Sequence, residues 1–254
     1  MKIAVKVFTI VIIISVVCYA EKKSWTSDPV FKLDLAPDSV DDQFTGCENK
    51  MCRLITQKIL PNELNSNKKF KNVWSKFKNI KNYFKRAIKV YTSNDIYLEF
   101  NVAVRSGRKS YISNFNYKAF HFFLTRALQV YRVNKCTNVF RRTKVLFDKN
   151  VLNKEVRLGG FASTSLKSNK IQFGNRSCFK IKTCYGANIA SMSVFPKEEE
   201  VLIPPFEKFK ITSINTGKNE MNCTVLYTLQ STGKLSYMNC KLLKKTKQNV
   251  NYGK

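Results

Sequence analysis

The spacing of apolar residues changes character once along this chain, near Cys136, and that change limits the folds open to it. Over residues 67–90, apolar side chains fall at Phe70, Val73, Trp74, Phe77, Ile80, Phe84, Ala87 and Ile88. Steps of three and four predict an amphipathic helix with lysines on its outer face. Residues 113–133 repeat the pattern through Phe115, Phe120, Phe123, Leu124, Ala127, Leu128 and Tyr131. Beyond Cys136 the apolar runs shorten to 139–140, 170–173, 179–182, 200–203, 208–214 and 224–229, which read as strands. Helices first and strands afterwards predict an α+β architecture, a helical part over about 30–133 and a β-rich part over about 134–243. No internal repeat or low-complexity tract interrupts this order.

A basic start (Lys2, Lys6), an apolar run from Val7 to Cys18 and a small residue at Ala20 predict a signal peptide over 1–20. That run is too short to span a bilayer comfortably. The segment 241–254 is polar and basic, with 244–254 read as a tail, and it lacks the hydrophobic stretch of a lipid-anchor signal. A freely secreted, monomeric protein is therefore expected, with a single domain over 21–243. Cys18 leaves with the signal peptide, so seven cysteines remain: Cys47, Cys52, Cys136, Cys178, Cys184, Cys223 and Cys240. An oxidising compartment predicts that most pair and that the odd one stays free. The sequons Asn175-Arg176-Ser177 and Asn222-Cys223-Thr224 suit the same compartment.

The formal charge of +28 falls to +26 when Lys2 and Lys6 are removed. Such a charge attracts anionic cell surfaces or polysaccharides. The lysines are spread along the chain and form no single arm, so a solvated basic face is favoured over a specific nucleic-acid site. His121, the only histidine, sits between Phe120 and Phe122 and reads as a core residue. One histidine excludes a two-histidine acid–base mechanism and makes a histidine-based metal site a poor reading. No Cys-x-x-Cys pairing or Gly-x-Gly-x-x-Gly loop is present, so no metal is expected.

Acidic residues are scarce, with Asp+Glu 17 against Lys+Arg 45, yet Glu198, Glu199 and Glu200 are adjacent. Like charges this close repel, so the cluster suggests a function. If the three residues lie on a strand, Glu198 and Glu200 share a face about 7 Å apart and Glu199 points away. Paired carboxylates at that separation suit the cleavage of a glycosidic bond. Two further segments carry candidate chemistry. Arg141 follows the short apolar pair Val139-Phe140, where a guanidinium can clamp a diphosphate. Gly159-Gly160-Phe161-Ala162-Ser163-Thr164-Ser165 combines close backbone approach with small hydroxyl residues that leave room for a flat ligand.

Taken in order, Arg141, Phe161-Ala162-Ser163-Thr164-Ser165 and Glu198-Glu199-Glu200 resemble the arginine-specific mono-ADP-ribosyltransferases of the vertebrate ecto-enzyme type. The likeness extends to Asp34-Leu35-Ala36-Pro37, to Asp41-Asp42-Gln43-Phe44-Thr45-Gly46-Cys47, and to Phe100-Asn101-Val102-Ala103-Val104-Arg105. Further matches are Lys118-Ala119-Phe120-His121 and Val201-Leu202-Ile203-Pro204-Pro205-Phe206-Glu207, so the resemblance covers about 33–243. It implies a fold of two packed sheets behind a helical part, and transfer of ADP-ribose from NAD to exposed arginines of acceptor proteins, with NAD hydrolysis as a side reaction. It also implies Glu200 for the ribose cation, Glu198 for the acceptor, Ser163 for orientation and Arg141 for the phosphates. Tyr91 and Gly160 are implied cofactor contacts, and Cys136–Cys184 and Cys47–Cys240 implied disulfides. Which of Cys52, Cys178 and Cys223 pair is left open. Arg142 departs from the small residue usual after the motif arginine and predicts either tighter binding or crowding of the cofactor. The competing reading is a secreted basic binding protein whose site is vestigial; the intact Arg141, Ser163, Glu198 and Glu200 argue against it.

Overall fold

The computed structural model describes residues 29–243. The expected signal peptide (1–20) and basic tail (244–254) lie outside the described residues. The described residues open with β1 (Val30–Phe31), then six α-helices: α1 (Glu48–Leu54), α2 (Leu60–Ser66), α3 (Lys68–Lys76), α4 (Tyr83–Thr92), α5 (Tyr97–Ser106) and α6 (Lys118–Val130). A wider helical turn, Ile55–Ile59, joins α1 to α2. Strands follow: β2 (Thr137–Thr143), β3 (Leu146–Phe147), β4 (Glu155–Arg157), β5 (Ala162–Ser165), β6 (Ser177–Thr183), β7 (Ala187–Asn188), β8 (Glu200–Ile203), β9 (Glu207–Asn215) and β10 (Val225–Lys234).

The continuous helix expected over 67–90 is two helices. Asn67 caps α3 by accepting from Phe70 N at 2.9 Å, and Asn82 caps α4 by accepting from Phe84 N and Lys85 N. A side-chain amide that bonds the backbone at an N-cap stabilises a new helix start. Between them Arg86 donates to the carbonyls of Lys78 (2.8 Å) and Ile80 (2.9 Å), satisfying groups that the break leaves over. The expected helix over 113–133 begins only at Lys118, where the buried Glu63 of α2 accepts from Lys118 N and Ala119 N. A carboxylate there is favoured by the helix dipole, although burial raises its pKa to about 7.

Eight strands form one mixed sheet in the order β4-β9-β10-β6-β2-β5-β8-β7, in which only β10 and β6 run parallel. Its two wings, β4-β9-β10-β6-β2 and β5-β8-β7, are joined by the single pair Phe140↔Ser165. The two packed sheets expected from the sequence are these wings. One buried cluster takes Ala162, Val201 and Ile203 from the second wing and Val139, Ile181, Phe209, Ile211 and Tyr227 from the first. Alternation sends Leu202 and the loop residue Phe161 the other way, into the core built by the helices.

The segment 170–173, expected as a strand, is a single tight turn, Ile171–Phe173. Gly174 follows with φ +117, and a Cβ there would lie 2.5 Å from the Thr143 carbonyl carbon and oxygen. The chain is therefore folded closely against β2 and makes no ladder of its own. Cys47–Cys240 and Cys136–Cys184 are bonded, and Cys178–Cys223 supplies the pair left open above, with Cys52 free and half-buried.

Candidate active site

A cavity of about 510 Å³ opens where the two wings diverge, against α4 and α5. Its lining includes Tyr91, Tyr97, Arg141, Ser163, Glu198 and Glu200. Five of the six residues predicted for the site thus reach one space. The sixth, Gly160, is absent from the lining. A Cβ on it would fall 2.8 Å from Asn101 Oδ1 and 3.3 Å from the Arg105 guanidinium carbon, so its glycine lets the loop close on α5.

Arg141 stands on β2 and donates to the Ser163 carbonyl at 2.7 Å, across the junction of the wings. Its neighbour Arg142 also borders the cavity, but its guanidinium is taken up by a different set of partners. Arg142 donates to the carbonyls of Ser168 (2.8 Å) and Met221 (2.8 Å) beside the Cys178–Cys223 bridge. Its guanidinium is engaged in pinning loops at the edge of the cavity. Partial burial lowers its pKa.

The expected strand geometry of the glutamates needs correction. Pro196–Glu198 is a tight turn, Glu199 takes the left-handed conformation at φ 48, and β8 starts only at Glu200. Proline opens the turn because its fixed φ is already suitable. The reversal at Glu199 brings Glu198 back to the cavity, so the 7 Å strand repeat does not describe the pair. Glu199 is directed to Lys167, with which it forms an ion pair. The turn is held by Ser165 Oγ donating to the Glu198 carbonyl (2.7 Å) and by Lys170 Nζ donating to the Lys197 carbonyl (2.9 Å).

Glu200 is 4% exposed, and its Oε1 has no hydrogen-bond partner. Burial raises its pKa to about 7, the neighbouring Glu198 adds to the rise, and Ser163 and Arg141 oppose it. Glu198 is also raised, by burial, against the pull of Lys170. Two carboxyls that line one cavity and are both shifted upward by burial mark it as a candidate functional site. Tyr91 is buried, donates to the Phe161 carbonyl (2.8 Å) and accepts from Asn101 Nδ2 (3.1 Å). It holds the wall as well as lining it. His121 is buried with Nε2 2.9 Å from the Val40 carbonyl, and burial lowers its pKa to about 4. It is a core residue, as predicted.

Sequence reasoning missed Thr92, Asn94, Tyr97, Leu98, Lys170, Phe173 and Phe195, which also line the cavity. The turn-forming run Ser93-Asn94-Asp95 between α4 and α5 was the available sequence signal, and Asn94 takes φ 64 there. Among the described residues no group of His, Cys, Asp and Glu is placed to hold a metal ion.

The cavity combines a buried carboxylate oxygen that has no partner with an arginine on its lining. The class of protein follows from the fold. The chain superimposes on the crystal structure of the eukaryotic mono-ADP-ribosyltransferase ART2.2 with a TM-score of 0.71 and 33% identity, over 83% of this chain and 98% of that one. A mutant of that enzyme, solved in complex with NAD, matches with a TM-score of 0.69. T-cell ecto-ADP-ribosyltransferase 2 of Mus musculus is 39% identical over 75% of this chain and 72% of its own. Ecto-ADP-ribosyltransferase 5 of Homo sapiens is 38% identical over 85% and 82%. The family model for NAD:arginine ADP-ribosyltransferase matches residues 33–236, and the chain belongs to that family. Its reaction is the transfer of ADP-ribose from NAD, the substrate, to arginine. The named relatives are ecto-enzymes, and an extracellular setting suits three disulfides.

Proposed function

We propose that Glu200 and Glu198 divide the transferase reaction between the two ends of the bond that is exchanged. The observation that carries this is the unpartnered, buried carboxylate oxygen of Glu200 on the wall that Glu198 and Arg141 share. The bond between the ribose C1 and the nicotinamide nitrogen breaks, and nicotinamide leaves as a neutral molecule. The ribose then carries oxocarbenium character, which an ionised Glu200 stabilises through charge and contact with a ribose hydroxyl. Ser163 orients Glu200 and the nicotinamide ribose, Arg141 holds the diphosphate, and Tyr91 supports the wall on which the cofactor lies. A guanidinium stays protonated to a pKa of roughly 12.5–13.8 and is a poor nucleophile. Glu198 binds the acceptor guanidinium and removes the proton that it loses as the new C–N bond forms. Without an acceptor, water takes that place and NAD is hydrolysed. The acceptors are proteins with exposed arginines, the catalytic unit is the single domain over 21–243, acting as a monomer, and its basic surface gathers it on anionic surroundings.

Labelled NAD with agmatine as acceptor tests these roles. Glu198→Ala is expected to lower transfer about 100-fold, the scale of a lost proton-transfer group, while NAD hydrolysis stays within a few-fold. Full transfer by that variant would remove Glu198 from the mechanism. The pH profile supplies a second check. Glu200 acts as the anion, and its pKa is raised to about 7. Below that value kcat/KM for NAD is expected to fall about tenfold per pH unit, and a profile flat from pH 8 to 5 would contradict an ionised Glu200.

A further inference from the structure

Between Glu63 and Asp95 the chain has eight lysines and Arg86 and not one acidic residue. The structure resolves these lysines into two groups. Lys69 and Lys76 are paired with Glu99 and Asp95, and Lys89 donates to the Ser193 carbonyl. Lys68, Lys71, Lys78, Lys81 and Lys85 are exposed and make no ion pair among the described residues. They follow the outer side of α3, the link to α4 and the first turn of α4.

The link is organised rather than loose. Arg86 is buried, holds the Lys78 and Ile80 carbonyls, and stacks over the rings of Trp74 (5.2 Å) and Tyr83 (5.3 Å). A cation spent inside the surface thus fixes the backbone from which Lys78, Lys81 and Lys85 project. Like charges repel, so five exposed and unpaired lysines carried on one ordered stretch of 18 residues, 68–85, invite a polyanion. The apolar side of α3, Phe70, Val73 and Trp74, is buried in the core. No apolar face is left on this helix to enter a lipid layer, as an interfacial helix requires.

We infer that this surface binds a sulfated polysaccharide, giving the extracellular enzyme a tether separate from its catalytic cleft. The inference rests on the extracellular, anion-seeking reading above and names its partner and place. Because no lining residue of the cleft belongs to the lysine set, binding and turnover are separable.

The test compares two variants with equal net charge on a heparin column and in salt titrations. In the first, Lys78, Lys81 and Lys85 become Gln; in the second, Lys182, Lys210 and Lys218, exposed on the β-rich part, become Gln. The first is expected to elute at clearly lower salt. Its slope of log affinity against log salt should fall by about two, at about 0.7 per contact as for single-stranded polyanions. The second should elute near wild type. Equal losses would mean that net charge alone binds heparin and would overturn the proposal. So would retention on phosphatidylserine vesicles without retention on heparin, which points to a membrane partner. Heparin should also shield Lys71, Lys78, Lys81 and Lys85 of the wild type from acetylation, read by mass spectrometry; unshielded lysines would equally overturn it. Turnover of NAD and agmatine, measured in parallel, fails only if the catalytic reading is wrong, so the two failures are distinguishable.

Discussion

Glu200→Gln is expected to remove at least about 100-fold from the kcat of transfer to agmatine and, in the same protein, to raise the melting temperature. The activity loss follows from withdrawing the negative charge that meets the ribose cation, on the scale of losing one aligned electrostatic partner. The gain in stability follows from the same burial. A carboxyl whose pKa rises from 4.5 to about 7 on folding binds more protons folded than unfolded between those values. Stability therefore falls as pH rises through that window, and the full penalty, about 3 kcal/mol, is present above pH 7. Glutamine is never ionised and escapes it. At pH 8 the variant should melt roughly 5 °C or more above wild type, and the difference should shrink toward zero near pH 4.5. Other raised carboxyls such as Glu63 and Glu207 are common to both proteins and cancel from the comparison. A variant that melts below wild type at pH 8 would show that Glu200 is a structural partner rather than a strained functional one.

Arg157→Met should be the most damaging single change to folding, at about 3–5 kcal/mol. Arg157 and Asp41 both have fully buried side chains and meet at 2.6 Å. The guanidinium also donates to the carbonyls of Leu35 (2.6 Å), Ala36 (2.8 Å) and Leu235 (2.8 Å). Removing it leaves a buried carboxylate and three carbonyls short of a donor. Urea melts at pH 7 read the loss. Replacing both partners, Arg157→Met with Asp41→Leu, should recover part of it, because no charge then remains stranded. A single variant within about 1 kcal/mol of wild type would mean that water enters and solvates Asp41.

The division into helices and strands was legible because periodicity changes where the fold changes. The break within 67–90 was not, since Phe77 and Ile80 maintain helical spacing while Asn82 and Arg86 create the break. That Arg141, Ser163 and Glu200 would line one cavity was readable from the resemblance carried by their order along the chain. The path of Glu198 was hidden, because three consecutive glutamates do not announce that the middle one takes φ 48. Arg142 looked like a rival to Arg141, and its partners, the carbonyls of Ser168 and Met221, lie too far along the chain to be read from the sequence. Arg157 resembled any surface cation, and its burial depends on Asp41, 116 residues earlier. The pairing of Cys178 with Cys223 depends likewise on β6 and β10 running side by side.

The two aspartates near the start of the domain have a further consequence. Asp41 accepts from Tyr237 N and Met238 N, and Asp42 from Cys240 N and Lys241 N. Each waits for partners almost 200 residues away, and at 5–20 residues per second a ribosome takes roughly 10–40 s to deliver them. Before they arrive Asp41 has Arg157 and Asp42 has Phe44 N, but the four donors of the late segment are missing. A chain stopped just before Tyr237 would keep every residue that lines the cleft and still leave Asp41 and Asp42 short of four backbone donors, so residues 237–241 act as a checkpoint on the whole domain.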